Sequence, residues 1–302
     1  MADLPRHLDP RTLASLDGLK LRARKIVEGY MAGLHRSPLR GFSVEFSEHR
    51  DYTAGDDTRY LDWKLFARTD KFYVKQYEDE TNLICYLVLD VSASMGYQGP
   101  QAAFSKLEYV RCLAAALSWL VLGQQDAVAL ATVSDRVDEL VRPASHASQW
   151  DVLLELLERT AEAGETGIGE ALHDLAERFS RRGIVFIFSD LLSDPKDVLA
   201  GLRHLAHRRH DVVVLEVLDP AELEFPFQHF TQFEGMEQEG TLLADPHAIR
   251  QAYLAELARG RTELKEGLRQ LGMDLFHVRT DQPLDRVLRD LLASRRNRVG
   301  VS

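Results

Sequence analysis

Asp90-Val91-Ser92-Ala93-Ser94 sets one carboxylate and two hydroxyls at alternate positions directly after the apolar run Ile84-Cys85-Tyr86-Leu87-Val88-Leu89. In a loop that curls at a strand end, alternate spacing lets three oxygens face one point. Hard divalent cations prefer such all-oxygen ligand sets. A second carboxylate, Asp190, follows a second apolar run, Ile184-Val185-Phe186-Ile187-Phe188-Ser189, so it too projects from a rigid element. Thr166, in Gly164-Glu165-Thr166-Gly167, adds a hydroxyl just before a helical pattern, where an N-cap role would equally account for it. Asp90, Ser92, Ser94, Thr166 and Asp190 are therefore the candidate metal ligands. Magnesium is the first expectation, with manganese and calcium also acceptable to such donors. Met95-Gly96 reads as the turn that closes the loop.

Two carboxylates would leave a divalent cation close to neutral yet still electrophilic, since hydroxyl ligands add no charge. An open coordination position would then attract an acidic side chain from a partner. No base, nucleophile or Walker-type glycine loop stands beside the set, which favours recognition over catalysis. The competing reading is a magnesium-dependent hydrolase or nuclease using the same aspartates, with Glu165 or Glu170 activating water. A haloacid-dehalogenase-type phosphatase is excluded, because it needs a second carboxylate where Ser92 stands.

The elements that must position these residues are legible as apolar strands alternating with amphipathic helices. Strands are expected at 84–89, 127–133, 136–141, 184–188, 212–218 and 275–278. Helices are expected at 104–122, 147–159, 169–180, 195–207, 246–271 and 284–292. Uninterrupted apolar strands between helices imply a mostly parallel six-stranded sheet covered on both faces. Ligands gather at the carboxyl ends of such strands near the point where strand order reverses. Ahead of this, residues 12–34 read as a helical arm with Leu13, Leu16, Leu19, Ile26, Val27 and Met31 as its apolar positions, and 41–80 as a small charged and aromatic subdomain. The expected division is thus 1–81 and 82–302, with a β-hairpin insertion near 225–243. The basic clusters Lys20, Arg22, Arg24, Lys25 and Arg203 to His210 read as solvated helix faces or ends, and Ser294 to Ser302 as a frayed basic tail.

A net charge of −10 over 302 residues argues against a general attraction to nucleic acid, which needs a basic excess. Cys85 and Cys112 lie within apolar runs and have no metal-ligand spacing, so reduced thiols in a cytoplasmic compartment are expected. The longest apolar stretch, around Leu113 to Gly123, is too short to span a bilayer, and no direct membrane insertion is expected.

The ordered set, Asp-x-Ser-x-Ser after the first strand, Thr before a later helix and Ser-Asp after the fourth strand, resembles the metal-ion-dependent adhesion site of von Willebrand factor A domains. The tract from Arg50-Asp51-Tyr52 through Gly55-Asp56, Arg59, Asp62-Trp63 and Ala67-Arg68-Thr69 narrows the match. It resembles the signature of the bacterial domain of unknown function 58 family, with Asp51 in place of the usual glutamate. Asp219-Pro220-Ala221-Glu222-Leu223 agrees with that family as well. The resemblance implies a von Willebrand factor A-like, Rossmann-like α/β fold. It further implies a non-enzymatic adaptor or co-chaperone that works with a MoxR-type AAA+ ATPase or other A-domain proteins. Arg50, Arg59, Trp63 and Arg68 are candidates for docking a partner. The alternation of arginines with Asp51, Asp56 and Asp62 around Trp63 favours an internal network instead.

Overall fold

Seven consecutive residues, Ile84–Asp90, are all buried, as a strand must be when helices cover both of its faces. In the computed structural model, which describes residues 8–35, 49–51, 73–75, 83–162, 164, 167–236 and 240–299, this strand (β3) sits at the centre of a six-stranded sheet. Its partners are β4 (Ala127–Val133), β5 (Val137–Ala144), β6 (Ile184–Ser189), β7 (Asp211–Leu218) and β10 (Asp274–Arg279). The order is β10-β7-β6-β3-β4-β5, parallel throughout except for the antiparallel β4–β5 hairpin. The expected fold class is the one found. β3 pairs with β4 on one side and β6 on the other, so chain order diverges there, and Asp90 and Asp190 lie at that switch point.

Side-chain alternation divides the core between two faces. Ile84, Tyr86, Val88, Val185, Ile187, Val212 and Val214 pack against α5 (Ile168–Arg178), α6 (Pro195–His207) and α8 (Pro246–Gln270). The other face receives α3 (Lys106–Gly123) and α4 (Gln149–Arg159), with α9 (Leu284–Val299) laid on α3. Gly201 permits the close α5–α6 approach, since a Cβ there would meet the Gly169 carbonyl oxygen at 2.4 Å.

The amino-terminal arm is two helices, α1 (Pro10–Ala14) and α2 (Leu19–His35), separated at Gly18, whose φ of +82° suits glycine. Met31 faces solvent, while Ala23 and Tyr30 are buried instead. Lys20, Arg24 and Lys25 lie on the solvated face expected of them, while Arg22 is drawn partly inward. Lys20 pairs with Asp151 at 2.6 Å, Arg22 with Glu108, and the Arg24 guanidinium lies 5.5 Å from the Trp119 ring and 5.7 Å from Trp150. These contacts group residues 1–33 with 83–302, leaving 34–82 as a separate unit in place of a boundary at 81. Within that unit, β1 (His49–Asp51) pairs antiparallel with β2 (Tyr73–Lys75). Arg59, Trp63, Arg68 and the side chain of Arg50 lie outside the described residues.

Two further departures concern tertiary partners. The helix expected to end at 292 continues to Val299 as α9, where a frayed tail was expected. Its Arg295 pairs with Asp211 and Asp274, at the starts of β7 and β10. His210, expected at a solvated helix end, is buried edge-on against Tyr86 and Phe179, at 5.7 and 5.6 Å. The cluster's other basic residues are not buried, and Arg208 and His204 both pair with Glu177. The insertion forms the antiparallel pair β8 (Thr231–Glu234) and β9 (Thr241–Ala244), and its Phe225 packs against Phe233 and against Tyr253 of α8. Among the described residues no helix is long and apolar enough to cross a membrane.

Candidate metal centre

Asp90 is the last residue of β3, paired in register with Val133, and is 1% exposed. Backbone pairing continues for one more residue, with Val91 N–H donating to Val133 O at 2.8 Å. The chain then turns back on the carboxylate. Ser92 N–H and Ser92 Oγ both donate to Asp90 Oδ1, at 2.9 and 2.7 Å, and Ser92 opens a short 3₁₀ turn, Ala93–Gly96. This turn brings Ser94 Oγ within 3.2 Å of Ser92 Oγ. Three of the expected ligands thus form one string of oxygens separated by 2.7 and 3.2 Å. Adjacent ligands of an octahedral magnesium, each about 2.1 Å from the ion, lie about 3 Å apart, so the spacing and the donor chemistry both fit a small divalent cation.

The other carboxylate oxygen, Asp90 Oδ2, accepts from Ser189 Oγ at 2.6 Å. Ser189 ends β6 and is fully buried, and its own hydroxyl oxygen accepts from the Leu191 amide at 3.0 Å. The sequence reading counted Ser189 in the Ser-Asp pair that ends the fourth strand but not among the candidate ligands. Burial, and then the neighbouring charge of Asp190, push the Asp90 carboxyl up to about 6 against the opposing pull of its serine donors. A cation at this point would relieve that strain.

Asp190 is equally buried, but its Oδ2 accepts from Lys106 Nζ at 2.7 Å and its Oδ1 from the Leu192 amide at 3.3 Å. Leu191, between the two, holds a φ of 55°, a conformation uncommon for a leucine. Lys106 is the residue that sequence reading missed. It is the first residue of α3, where the helix dipole disfavours a cation, and its side chain has no exposure. Burial alone would depress its ammonium; Asp190 and Glu222, the latter at 2.6 Å, outweigh that and raise it above the usual lysine range.

Glu222 belongs to a capping box on the short helix α7 (Pro220–Glu224): Asp219 N–H donates to Glu222 Oε2 at 2.7 Å while Asp219 Oδ1 accepts from the Ala221 amide at 2.8 Å. Asp219 Oδ2 accepts from Gly99 N–H at 3.0 Å and Thr280 Oγ1 at 3.1 Å. A Cβ at Gly99 would meet Asp219 Oδ1 at 2.1 Å, so only glycine fits. The loop after Asp90, the start of α3, and the ends of β7 and β10 are thereby tied together around Lys106 and Asp219.

Thr166 and Glu165 lie outside the described residues. Of their neighbours, Gly164 O accepts from Ala93 N–H at 3.4 Å, and a Cβ at Gly167 would meet Asp135 Cα at 2.7 Å. Glu170, on the first turn of α5, faces solvent. Among the described residues no three His, Cys, Asp or Glu side chains converge into a metal cage, so the candidate site depends on its hydroxyls. Beside Asp190 opens a cleft of about 530 Å³ between the loop after β6 and α8, with Leu191, Leu192, Pro195, Tyr253 and Leu257 among its lining.

The family model described as "Protein of unknown function DUF58" matches residues 48–263. Uncharacterized protein Rv1480 of Mycobacterium tuberculosis (strain ATCC 25618 / H37Rv) is 29% identical over 295 residues, covering 95% of this chain and 91% of that protein. Uncharacterized protein Mb1516 of Mycobacterium bovis matches with the same figures. Among solved structures, the conserved hypothetical protein BatB of Bacteroides thetaiotaomicron is 16% identical, covers 70% of this chain and 98% of its own, and superposes with a TM-score of 0.47. The vWF domain of the type V pili tip protein Mfa5 of Porphyromonas gingivalis is 12% identical over 70% of this chain and 95% of its own, with a TM-score of 0.34.

Proposed function

This chain belongs to the DUF58 family of proteins of unknown function, and we propose that it is a metal-dependent protein–protein interaction module that serves a MoxR-type AAA+ ATPase as adaptor or co-chaperone. The observation that carries this reading is the string of oxygens formed by Asp90, Ser92 and Ser94 at the switch point of the sheet. Asp90, Ser92 and Ser94 would hold a divalent cation, magnesium first, with Thr166 and Asp190 as the remaining candidates. When bound, the cation supplies an electrophilic coordination position suited to a partner's carboxylate. The residues of the chain do the rest: the Ser92 amide and Ser189 hydroxyl orient Asp90, and Lys106 fixes Asp190.

Binding rather than catalysis is supported by how the two carboxylates are engaged. Asp90 receives three hydrogen bonds and Asp190 an ammonium, contacts that fix the orientation of both carboxylates. The ATPase partner rests on family resemblance, and other A-domain proteins are the companion candidates. A pull-down with the cognate MoxR-type ATPase is expected to retain wild type in magnesium and to lose it in chelator. Asp90→Ala should not be retained in either. Equal retention of wild type and Asp90→Ala would overturn the proposal.

A further inference from the structure

We infer that Lys106 keeps Asp190 out of the cation's direct coordination, so that loading of the site depends on a carboxylate supplied from outside the chain. The inference rests on the reading of the Asp90 loop as a metal site and specifies how that site is regulated.

The groups around the two aspartates differ in whether they can yield to a cation. Ser92 and Ser189 donate hydroxyl hydrogens to Asp90, and a hydroxyl can turn its hydrogen aside and offer a lone pair. An ammonium has no lone pair to offer, and its charge repels an approaching cation. Lys106 Nζ lies 2.7 Å from Asp190 Oδ2, with both side chains wholly buried. Nor can Lys106 withdraw. Its second bond goes to Glu222, which the capping box fixes, and Asp219 of that box is fixed in turn by Gly99 and Thr280. Moving the ammonium out would strand buried carboxylates without a partner.

Among the described residues the cation is therefore left with Asp90 as its one carboxylate free of an ammonium, together with neutral hydroxyls. Divalent-cation affinity rises with the number of charged ligands, so the chain alone binds weakly and an incoming carboxylate supplies the missing charge. The ligand class is an acidic side chain or small carboxylate that arrives with, or after, the cation. Lys106 is a positioning residue that makes metal and partner binding cooperative.

Calorimetric titration of manganese into the full chain tests this, with and without acetate as the carboxylate probe. Acetate is expected to tighten manganese binding by wild type. The paired substitution Lys106→Met with Glu222→Gln removes one charge of each sign and frees Asp190; it should bind manganese roughly tenfold or more tightly without acetate and lose most of the acetate effect. Lys106→Arg, which keeps the charge, should behave as wild type. If acetate leaves wild-type affinity unchanged, the inference is overturned without recourse to any variant. The same follows if the paired variant, melting cooperatively, binds no tighter than wild type while Asp90→Ala abolishes binding; the metal reading then survives. If Asp90→Ala binds manganese as wild type does, the metal reading itself fails.

Discussion

A carboxylate buried at a strand end is costly unless its oxygens are satisfied, and the three donors on Asp90 measure how much of that cost this chain offsets. Ser189 is the only donor on Asp90 Oδ2 among the described contacts. Ser189→Ala should therefore lower stability by about 1–3 kcal/mol, the penalty of leaving a buried charged acceptor short of a partner. Urea unfolding reads this directly, and an unchanged midpoint would show that solvent reaches the carboxylate. His210 presents the opposite sign of problem. Burial, reinforced by nearby Arg208 and Arg182 and only partly countered by the Gly183 carbonyl, lowers its pKa below the usual imidazole value. The unfolded chain takes up a proton near pH 6.5 while the native imidazole stays neutral, so the unfolded state binds more protons as the solution is acidified. Stability contributed by His210 is thus present above about pH 6.5 and is lost as pH falls through the lowered native value. His210→Phe, which keeps a ring against Tyr86 and Phe179, should flatten the fall in melting temperature between about pH 7.5 and 5.5 relative to wild type.

At the scale of elements, the arm shows how charge and aromatic surface dock one helix on others. Arg22 both pairs with Glu108 of α3 and donates to the carbonyls of Leu16 and Ala14, at 2.9 and 3.2 Å, so it closes the turn between α1 and α2 while anchoring it. Its side chain is 17% exposed, which places the pair between a surface and a buried one. Arg22→Ala should cost about 1–2 kcal/mol and increase protease cleavage around residues 15–18, with cleavage at the sheet domain unchanged. The periodic elements were legible because each carries its own signal: β3, β4, β6 and β7 as apolar runs, and α5 as the stripe Ile168, Ala171, Leu172, Leu175. Elements that owe their extent to distant partners were not. The last turns of α9 read as frayed because Arg295 meets Asp211 and Asp274, residues 84 and 21 positions away. Lys106 has partners 84 and 116 positions away, and its one local trace is a cation at a helix start, where the dipole disfavours it. Asp90, Ser92 and Ser94 were legible as a set because one loop carries all three.

For the whole molecule, the site's position governs what a bound cation does to the fold. Asp90 ends β3, Ser189 and Asp190 end β6, and the bonds through Lys106, Glu222, Asp219 and Thr280 extend the same edge to α3, β7 and β10. These groups are assembled only in the native state, whereas the unfolded chain presents the same oxygens scattered. A cation that binds the native state alone stabilises it by mass action, about 2.7 kcal/mol at a concentration one hundred times its dissociation constant. At roughly 2–4 °C per kcal/mol for a domain of this size, that corresponds to a rise in melting temperature of roughly 5–10 °C. Magnesium or manganese is therefore expected to raise the melting temperature of wild type in a dose-dependent way, further in the presence of acetate, and chelator to reverse the rise. Asp90→Ala should melt at one temperature in all of these conditions. Ser189→Ala, which keeps the carboxylate but loosens its orientation, should retain part of the shift. A wild-type melting temperature that stays constant from chelator to saturating divalent cation would show that the oxygens of this edge are a structural turn and not a coordination site.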